Sequence, residues 1–184
     1  MTAPRATPGG LREVGVVNWL ICLALGKAAG TGPPNLFTTL ARRRGLFRGW
    51  LLFAGRLMPG GTLPRRDTEL VILRVAHLRD CGYEFDHHVR LGRRAGVREQ
   101  DVERLKEGPD ADGWNPRERA VLTAADQLHF RQDIDDDAWT RLRTHLTEAQ
   151  CVELTMLVGH YEMLATAITT LRVQPDRPAR GKGH

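Results

Sequence analysis

A chain of 184 residues with 41% hydrophobic side chains has room for one domain with a real core and little room for two. Lys and Arg outnumber Asp and Glu by 27 to 22, but the excess collects at Arg42, Arg43 and Arg44 and in a tail with Arg177, Arg180 and Lys182, and only 6% of residues are aromatic. This excludes the basic groove with stacking aromatics on which nucleic-acid binding depends; three cysteines at 22, 81 and 151, odd in number and far apart, exclude a disulfide framework and fit a reducing, cytoplasmic compartment.

In chain order, the first apolar segment is "VGVVNWLICLALGKAAG", residues 14–30. It follows Arg5 and Arg12 as a secretory leader would, but Glu13 and Asn18 interrupt it and Lys27 stands where a small cleavage residue is needed. It is also too short to span a bilayer, so no membrane association is expected. It reads as a buried amphipathic or core helix. Breakers then fall at "GTGPPN" (30–35), Gly45, "PGG" (59–61), Gly96, "GPDADG" (108–113) and "QPDRP" (174–178), and the segments between them have helical lengths. The apolar run "ELVILRVAHL" (69–78) is rich in β-branched residues, but its length and the lack of a partner strand favour a helix.

Two helix starts are explicit: Asn115 with Pro116 and Glu118, and Thr147 with Gln150, each a capping box. After Thr147 a 3.6-residue rhythm runs through Val152, Leu154, Leu157, Val158, Leu164, Ala165, Ile168 and Leu171 and predicts a long core helix. On it Met156 and Met163 read as core filling and His160 and Glu162 as ordinary satisfied helix residues, while Trp50, Trp114 and Trp139 take packing roles. The fold class is all-α, a single domain.

Chemistry concentrates in "LRDCGYEFDHHVRLG", residues 78–92. At about 100° per residue, Cys81, Glu84 and His88 fall within about 60° of one helix face, which continues through Leu91 and Ala95, whereas Asp86, Arg90, Arg93 and Arg94 lie elsewhere. The trio therefore points inward, and the four-residue spacing lets Glu84 and His88 bond each other. Asp80 is placed to cap this helix, putting Cys81 in a first turn that favours a thiolate. Glu69 heads the preceding apolar run with no charged partner on its buried side, so it is either an orphan or part of the site. His77 and Tyr83 rank second as site residues, and His87, about 120° from Cys81, faces solvent or a neighbouring subunit.

The segment "RRDTELVILRVAHLRDCGYEFDHHVRLGRRAGV" resembles the signature of the carboxymuconolactone decarboxylase and alkylhydroperoxidase D (AhpD-like) superfamily: a glutamate leading an apolar helix, then Cys-x-Tyr-Glu-aromatic-x-x-His, then Gly-Val after a basic run. "NLFTTLARRRGLF", "WNPRERAVLTAADQL" and "VGHYEMLATAITTL" resemble its flanks. The resemblance implies a domain over residues 33–175, preceded by a helical extension (1–32) and followed by a basic flexible tail (176–184). It also implies subunits assembling as a homo-oligomer, a trimer or hexamer, acting on a small-molecule substrate.

The resemblance points to two chemistries. In the hydroperoxidase kind a Cys-x-x-Cys pair works with an upstream glutamate and a downstream histidine; Glu69, Cys81 and His88 match, but Glu84 stands at the second cysteine, so no disulfide can form within the motif. In the decarboxylase kind a glutamate and histidine four apart suffice, as Glu84 and His88 are. Three readings follow. The first is a cofactor-free lyase or isomerase in which Glu84 and His88 exchange protons with a small lactone or carboxylate while Glu69 orients the histidine or acts as a second base. The second is a one-cysteine peroxidase in which Cys81 attacks a hydroperoxide and an external thiol reduces it. The third is a non-catalytic homologue, with a structural Glu–His pair or a zinc held by Cys81, Glu84 and His88 for which no fourth ligand is evident.

Overall fold

The computed structural model describes residues 3–176, so the tail with Arg177, Arg180 and Lys182 lies outside the described residues. These fold as ten α-helices: α1 (Leu11–Val14), α2 (Val16–Ala29), α3 (Asn35–Leu40), α4 (Arg44–Leu57), α5 (Arg65–Leu78), α6 (Gly82–Arg94), α7 (Glu99–Glu107), α8 (Pro116–Arg131), α9 (Asp136–Arg143) and α10 (Glu148–Leu171). None is long and apolar enough to cross a membrane. The chain divides into two compact units, one from residues up to Ala54 together with those from Ile168, the other Gly55–Ala167.

In the second unit α5 is the centre. From Asp67 to Ala76 every residue is buried, because α6, α7 and α8 all pack on it. A helix covered on all sides needs apolar residues all round, which is why "ELVILRVAHL" lacks a clean amphipathic period and is nonetheless a helix. Leu70 and Leu73 join Val97, Leu105, Trp114 and Leu122 in one core cluster. The polar residues caught in this interior are paired: Arg74 reaches both oxygens of Asp126 at 2.7 and 2.9 Å and donates to the Leu105 carbonyl at 2.7 Å, and Arg117 bonds Asp67 at 2.6 Å.

The expected helix starts are present. Asn115 Oδ1 accepts the Glu118 N–H while the Glu118 carboxylate accepts the Asn115 N–H, and Thr147 and Gln150 make the same reciprocal pair. In the first unit Val14, Cys22, Ala41 and Phe47 form a smaller core with Phe37 and Trp50 stacked around it.

Two burial expectations are corrected. On α2 the inward residues are Asn18, Cys22 and Gly26, while Val16, Val17, Leu20 and Leu23 are exposed. On α10 Cys151, Leu154, Leu157, Val158, Leu164, Ala165 and Ile168 are buried, but Val152, Met156 and Met163 form an exposed stripe on another face rather than filling the core. Trp139 is 38% exposed, packed on one side only, whereas Trp114 is buried. Hydrophobicity identifies what can be buried, and much exposed surface is apolar in any folded chain.

Candidate active site

The turn between α5 and α6 sets the site. Asp80 takes a left-handed conformation (φ 48°), and the Cys81 N–H reaches back to the Ala76 carbonyl at 2.9 Å, closing α5 with a Schellman-type end. Asp80 is thereby committed to ending α5, and Cys81, not Asp80, is the N-cap of α6. Gly92 near the end of α6 makes room for Val97 in the turn that follows: a Cβ there would lie 3.2 Å from Val97 Cβ, while Glu69 Cβ on α5 would be at an ordinary contact distance of 3.7 Å.

Cys81, Glu84 and His88 are all buried on the inner face of α6, and Asp86, Arg90, Arg93 and Arg94 are exposed. The expected Glu84–His88 bond is replaced by one between helices: His88 Nδ1 lies 2.8 Å from Glu69 Oε2, with both side chains buried. Glu69 is no orphan, since Arg65, one turn before it on α5, stands 2.7 Å from its other oxygen. With Nδ1 held by a carboxylate, Nε2 is the ring nitrogen left to accept or deliver a proton.

Glu84 is different. It is 2% exposed and neither carboxylate oxygen makes a well-directed hydrogen bond. Burial pushes its pKa up to about 8; the adjacent Cys81 side chain opposes this and the charge of Glu162 adds to it. Burial likewise pushes the Cys81 thiol up to about 12, against the Glu84 N–H that the sulfur faces and with the Glu84 carboxylate. The expected first-turn thiolate is thus corrected: the position at the helix start is right, but desolvation outweighs it, and the thiol is protonated at neutral pH.

The remaining residues separate clearly. His77 contacts Phe85 and the Lys106 carbonyl. Tyr83 is half-buried, about 100° around α6 from Glu84. His87 is half-buried rather than solvent-facing, edge-on to His88 with Arg90 at 3.3 Å from its Nδ1, and desolvation first, then the neighbouring His88 and Arg90, hold its pKa down to about 4. Cys22 and Cys151 are buried free thiols. Among the described residues no group of three or more His, Cys, Asp or Glu is arranged to hold a metal ion.

The sequence reading passed over Tyr161 on α10 and Arg65 on α5, whereas Glu162 is the satisfied helix residue it was read as. Tyr161 packs edge-on against His88 (5.3 Å between centroids) and His160 (5.1 Å), with its hydroxyl 3.9 Å from Met58 Sδ. Its phenol is held protonated, first by burial and then by the charges of Glu84 and Glu69. Glu162 bonds His129 Nδ1 at 2.6 Å and reaches Arg79 at 3.4 Å. Arg65 was legible from its i,i+4 spacing to Glu69; Tyr161 carries no local signal, because only tertiary packing brings α10 to α6.

A family model for carboxymuconolactone decarboxylases matches residues 20–127, more than half of the chain. An uncharacterized protein of Bacillus subtilis strain 168, YdfG, is 26% identical over 100 residues, covering 53% of this chain and 68% of its own. Among solved structures, an alkylhydroperoxidase AhpD core, an uncharacterized peroxidase-related protein from Ralstonia eutropha JMP134, superposes with a TM-score of 0.83 at 21% identity, covering 95% of this chain and 93% of that one. The debrominase Bmp8, as a cysteine-to-alanine variant in complex with 2,3,4-tribromopyrrole, superposes at 0.76 and 16% identity, covering 92% and 90%. At these identities the solved structures speak for the fold. With the family model and the all-α AhpD-like architecture in agreement, this chain belongs to the carboxymuconolactone decarboxylase family.

Proposed function

We propose that the protein is a cofactor-free enzyme that decarboxylates or isomerises a small lactone or carboxylate by proton transfer. The observation that carries this reading is the division of roles between two buried carboxyl groups. Glu69 is paired with Arg65 and with His88 Nδ1, so His88 Nε2 is available as a base, while Glu84, with no cation beside it and only the Cys81 thiol as a side-chain neighbour, stands protonated as an acid. Environments that push two titratable groups apart in this way supply an acid and a base at one pH. In the first step His88 Nε2 takes a proton from carbon next to the substrate carbonyl; the Glu84 carboxyl donates a hydrogen bond to the enolate oxygen as it forms. In an isomerisation the enolate takes that proton back from His88 at the γ-carbon; in a decarboxylation no proton is abstracted first, since the C–CO2 bond breaks, its electron pair forms the enolate as carbon dioxide leaves, and His88 Nε2 delivers a proton from solvent to the carbon.

The test is a panel of small lactones and β,γ-unsaturated or β-keto acids followed by ultraviolet absorbance and carbon dioxide release. Turnover that falls by about 10²-fold or more in both Glu84→Gln and His88→Asn, and by only a few-fold in Cys81→Ser, supports the reading. Loss of turnover in Cys81→Ser overturns it.

A second reading is one-cysteine hydroperoxide reduction. It is favoured by Cys81 at the start of α6 facing the Glu84 N–H, and by peroxidase-related proteins of the same fold. Cys81 sulfur attacks the distal peroxide oxygen, the O–O bond breaks, the alcohol leaves, and an external thiol reduces the sulfenic acid. Sulfenic acid trapping after peroxide treatment, present in the native protein and absent in Cys81→Ser, checks it.

A further inference from the structure

Glu69 is 0% exposed, and as a carboxylate at that depth it needs a positive charge beside it. The charges that α7 and α8 bring against α5 are spent elsewhere: Asp101 and Glu118 on Arg66, Arg117 on Asp67, and Asp126 on Arg74. On α6 the Glu84 and Cys81 side chains keep their protons at neutral pH, and His87, with Arg90 beside it, is held neutral. On α10 the Tyr161 phenol keeps its proton, burial holds His160 neutral, and Glu162 is matched by His129 and Arg79. Two groups remain to balance Glu69: Arg65 at Oε1 and His88 at Oε2.

Arg65 Nη2 lies 2.7 Å from Glu69 Oε1, the oxygen that His88 does not use. The approach is one of charge, since Oε1 receives no well-directed hydrogen bond. The field of Arg65 also reaches the far side of the imidazole: against burial and the charges of Glu84 and Glu69, it eases the ionisation of Tyr161, whose ring stands edge-on to His88. Helix stability does not account for Arg65. It is the first residue of α5, where the helix dipole disfavours a cation, and a base followed four residues later by an acid is the weaker order of such a pair. Its side chain is 40% exposed and makes no other ion pair among the described residues.

We propose that Arg65 is a positioning residue acting through Glu69: it supplies the positive charge that Glu69 needs, so that His88 need not supply it as an imidazolium, and Nε2 stays free to take a proton. Without the guanidinium the balancing charge comes from a second proton on the Glu69–His88 pair, taken up at Nε2, and the base is occupied over a wider range of pH. The inference rests on the proton-transfer reading in naming Nε2 the base; the placing of the proton belongs to the resting protein and is measured without a substrate.

The experiment uses the full chain with 15N-labelled histidine, the His88 signals being assigned by their loss in His88→Asn. The Nε2 nitrogen shift is followed from pH 5 to pH 9 in the native protein, Arg65→Gln and Arg65→Lys. Arg65→Gln is expected to raise the ratio of imidazolium to imidazole at His88 about tenfold at any pH within the titration. Arg65→Lys is expected to restore the native ratio to within about threefold, because the contact depends on charge more than on the guanidinium fork. Arg65→Met, which keeps the apolar stem, replaces Arg65→Gln if that variant does not fold. On a substrate that turns over, the rising limb of kcat/KM moves to higher pH in Arg65→Gln while the rate on the alkaline side of that limb is retained. The tenfold change without turnover of any substrate upholds the role of Arg65 and counts against the proton-transfer reading alone. A ratio unchanged or lowered in Arg65→Gln, a change that Arg65→Lys does not restore, or a rate lowered equally at every pH overturns the proposal.

Discussion

Glu84 makes the stability of this protein depend on pH in a direction opposite to that of most paired carboxylates. Its carboxyl group ionises at about 8 in the folded chain, against 4.5 as the ordinary value, because burial penalises the charge. Between those values the folded state holds a proton that the unfolded chain has released. The stabilisation is therefore complete below about pH 4.5 and is lost as pH rises through 8. Each tenfold difference in proton affinity corresponds to about 1.4 kcal/mol, so the whole loss from pH 4.5 to above 8 is roughly 5 kcal/mol. Glu84→Gln keeps the shape and removes the titration. Its amide leaves a buried polar group poorly paired at every pH, a constant offset of about 1–3 kcal/mol. The assay is urea unfolding of both proteins from pH 5 to pH 9, reading the difference in unfolding free energy, in which the histidines and other titrating groups common to both cancel. The native protein is expected to be equal or superior at pH 5 and inferior by a few kcal/mol at pH 9. A difference constant within about 0.5 kcal/mol across that range would falsify the assignment of a neutral buried Glu84.

At pH 8 the Cys81 thiol, ionising at about 12, holds a thiolate fraction more than three orders of magnitude below that of a free cysteine, so iodoacetamide labelling in the native protein is expected to be slower by about that factor and to recover in urea. Labelling of native Cys81 at the free-thiol rate would contradict the burial argument. Arg74→Met leaves Asp126 and the Leu105 carbonyl without their donor and is expected to cost about 3 kcal/mol by thermal or chemical unfolding, with much of the loss recovered by adding Asp126→Leu. Asn115→Ala removes the side-chain acceptor of the α8 capping box and is expected to cost about 1 kcal/mol, with no change in any activity.

Signals that act within one helical turn were legible in the sequence. The caps at Asn115 and Thr147 and the inward face shared by Cys81, Glu84 and His88 are local consequences of residue spacing, and each appears in the fold as read. What could not be read is where one helix meets another. Spacing allowed a Glu84–His88 bond, but His88 turned to Glu69 on α5, nineteen positions earlier, leaving Glu84 unpaired. Asp80 is a good capping residue by type and was drawn instead into closing α5, because its tolerance of the left-handed region is worth more in a three-residue connection than its side-chain oxygen. The exposed faces of α2 and α10 escaped for a different reason: apolar content alone does not say which side of a helix a neighbour covers.

The presence of a carboxyl group three residues after Cys81 constrains the chemistry beyond preventing a local disulfide. A second thiol at that position would be a neutral neighbour able to share a proton with a thiolate. Glu84 instead opposes the thiolate, and the Cys81 thiol in turn stays neutral beside it, so the pair holds both protons at neutral pH and releases the carboxyl proton first, near 8. The Glu69–His88 pair is then the group to which the proton-transfer proposal assigns the role of base. The two chemistries consequently respond to pH in opposite directions. With Glu84 as the acid, kcat/KM falls as pH rises through 8, because the donor is lost. With Cys81 as the nucleophile, the rate rises with pH as the scarce thiolate becomes more abundant. A pH–rate profile between 6 and 9.5 on any substrate that turns over therefore distinguishes them without a mutation: a descending limb near 8 supports proton transfer through Glu84, and a continuous ascent refutes it in favour of the thiol.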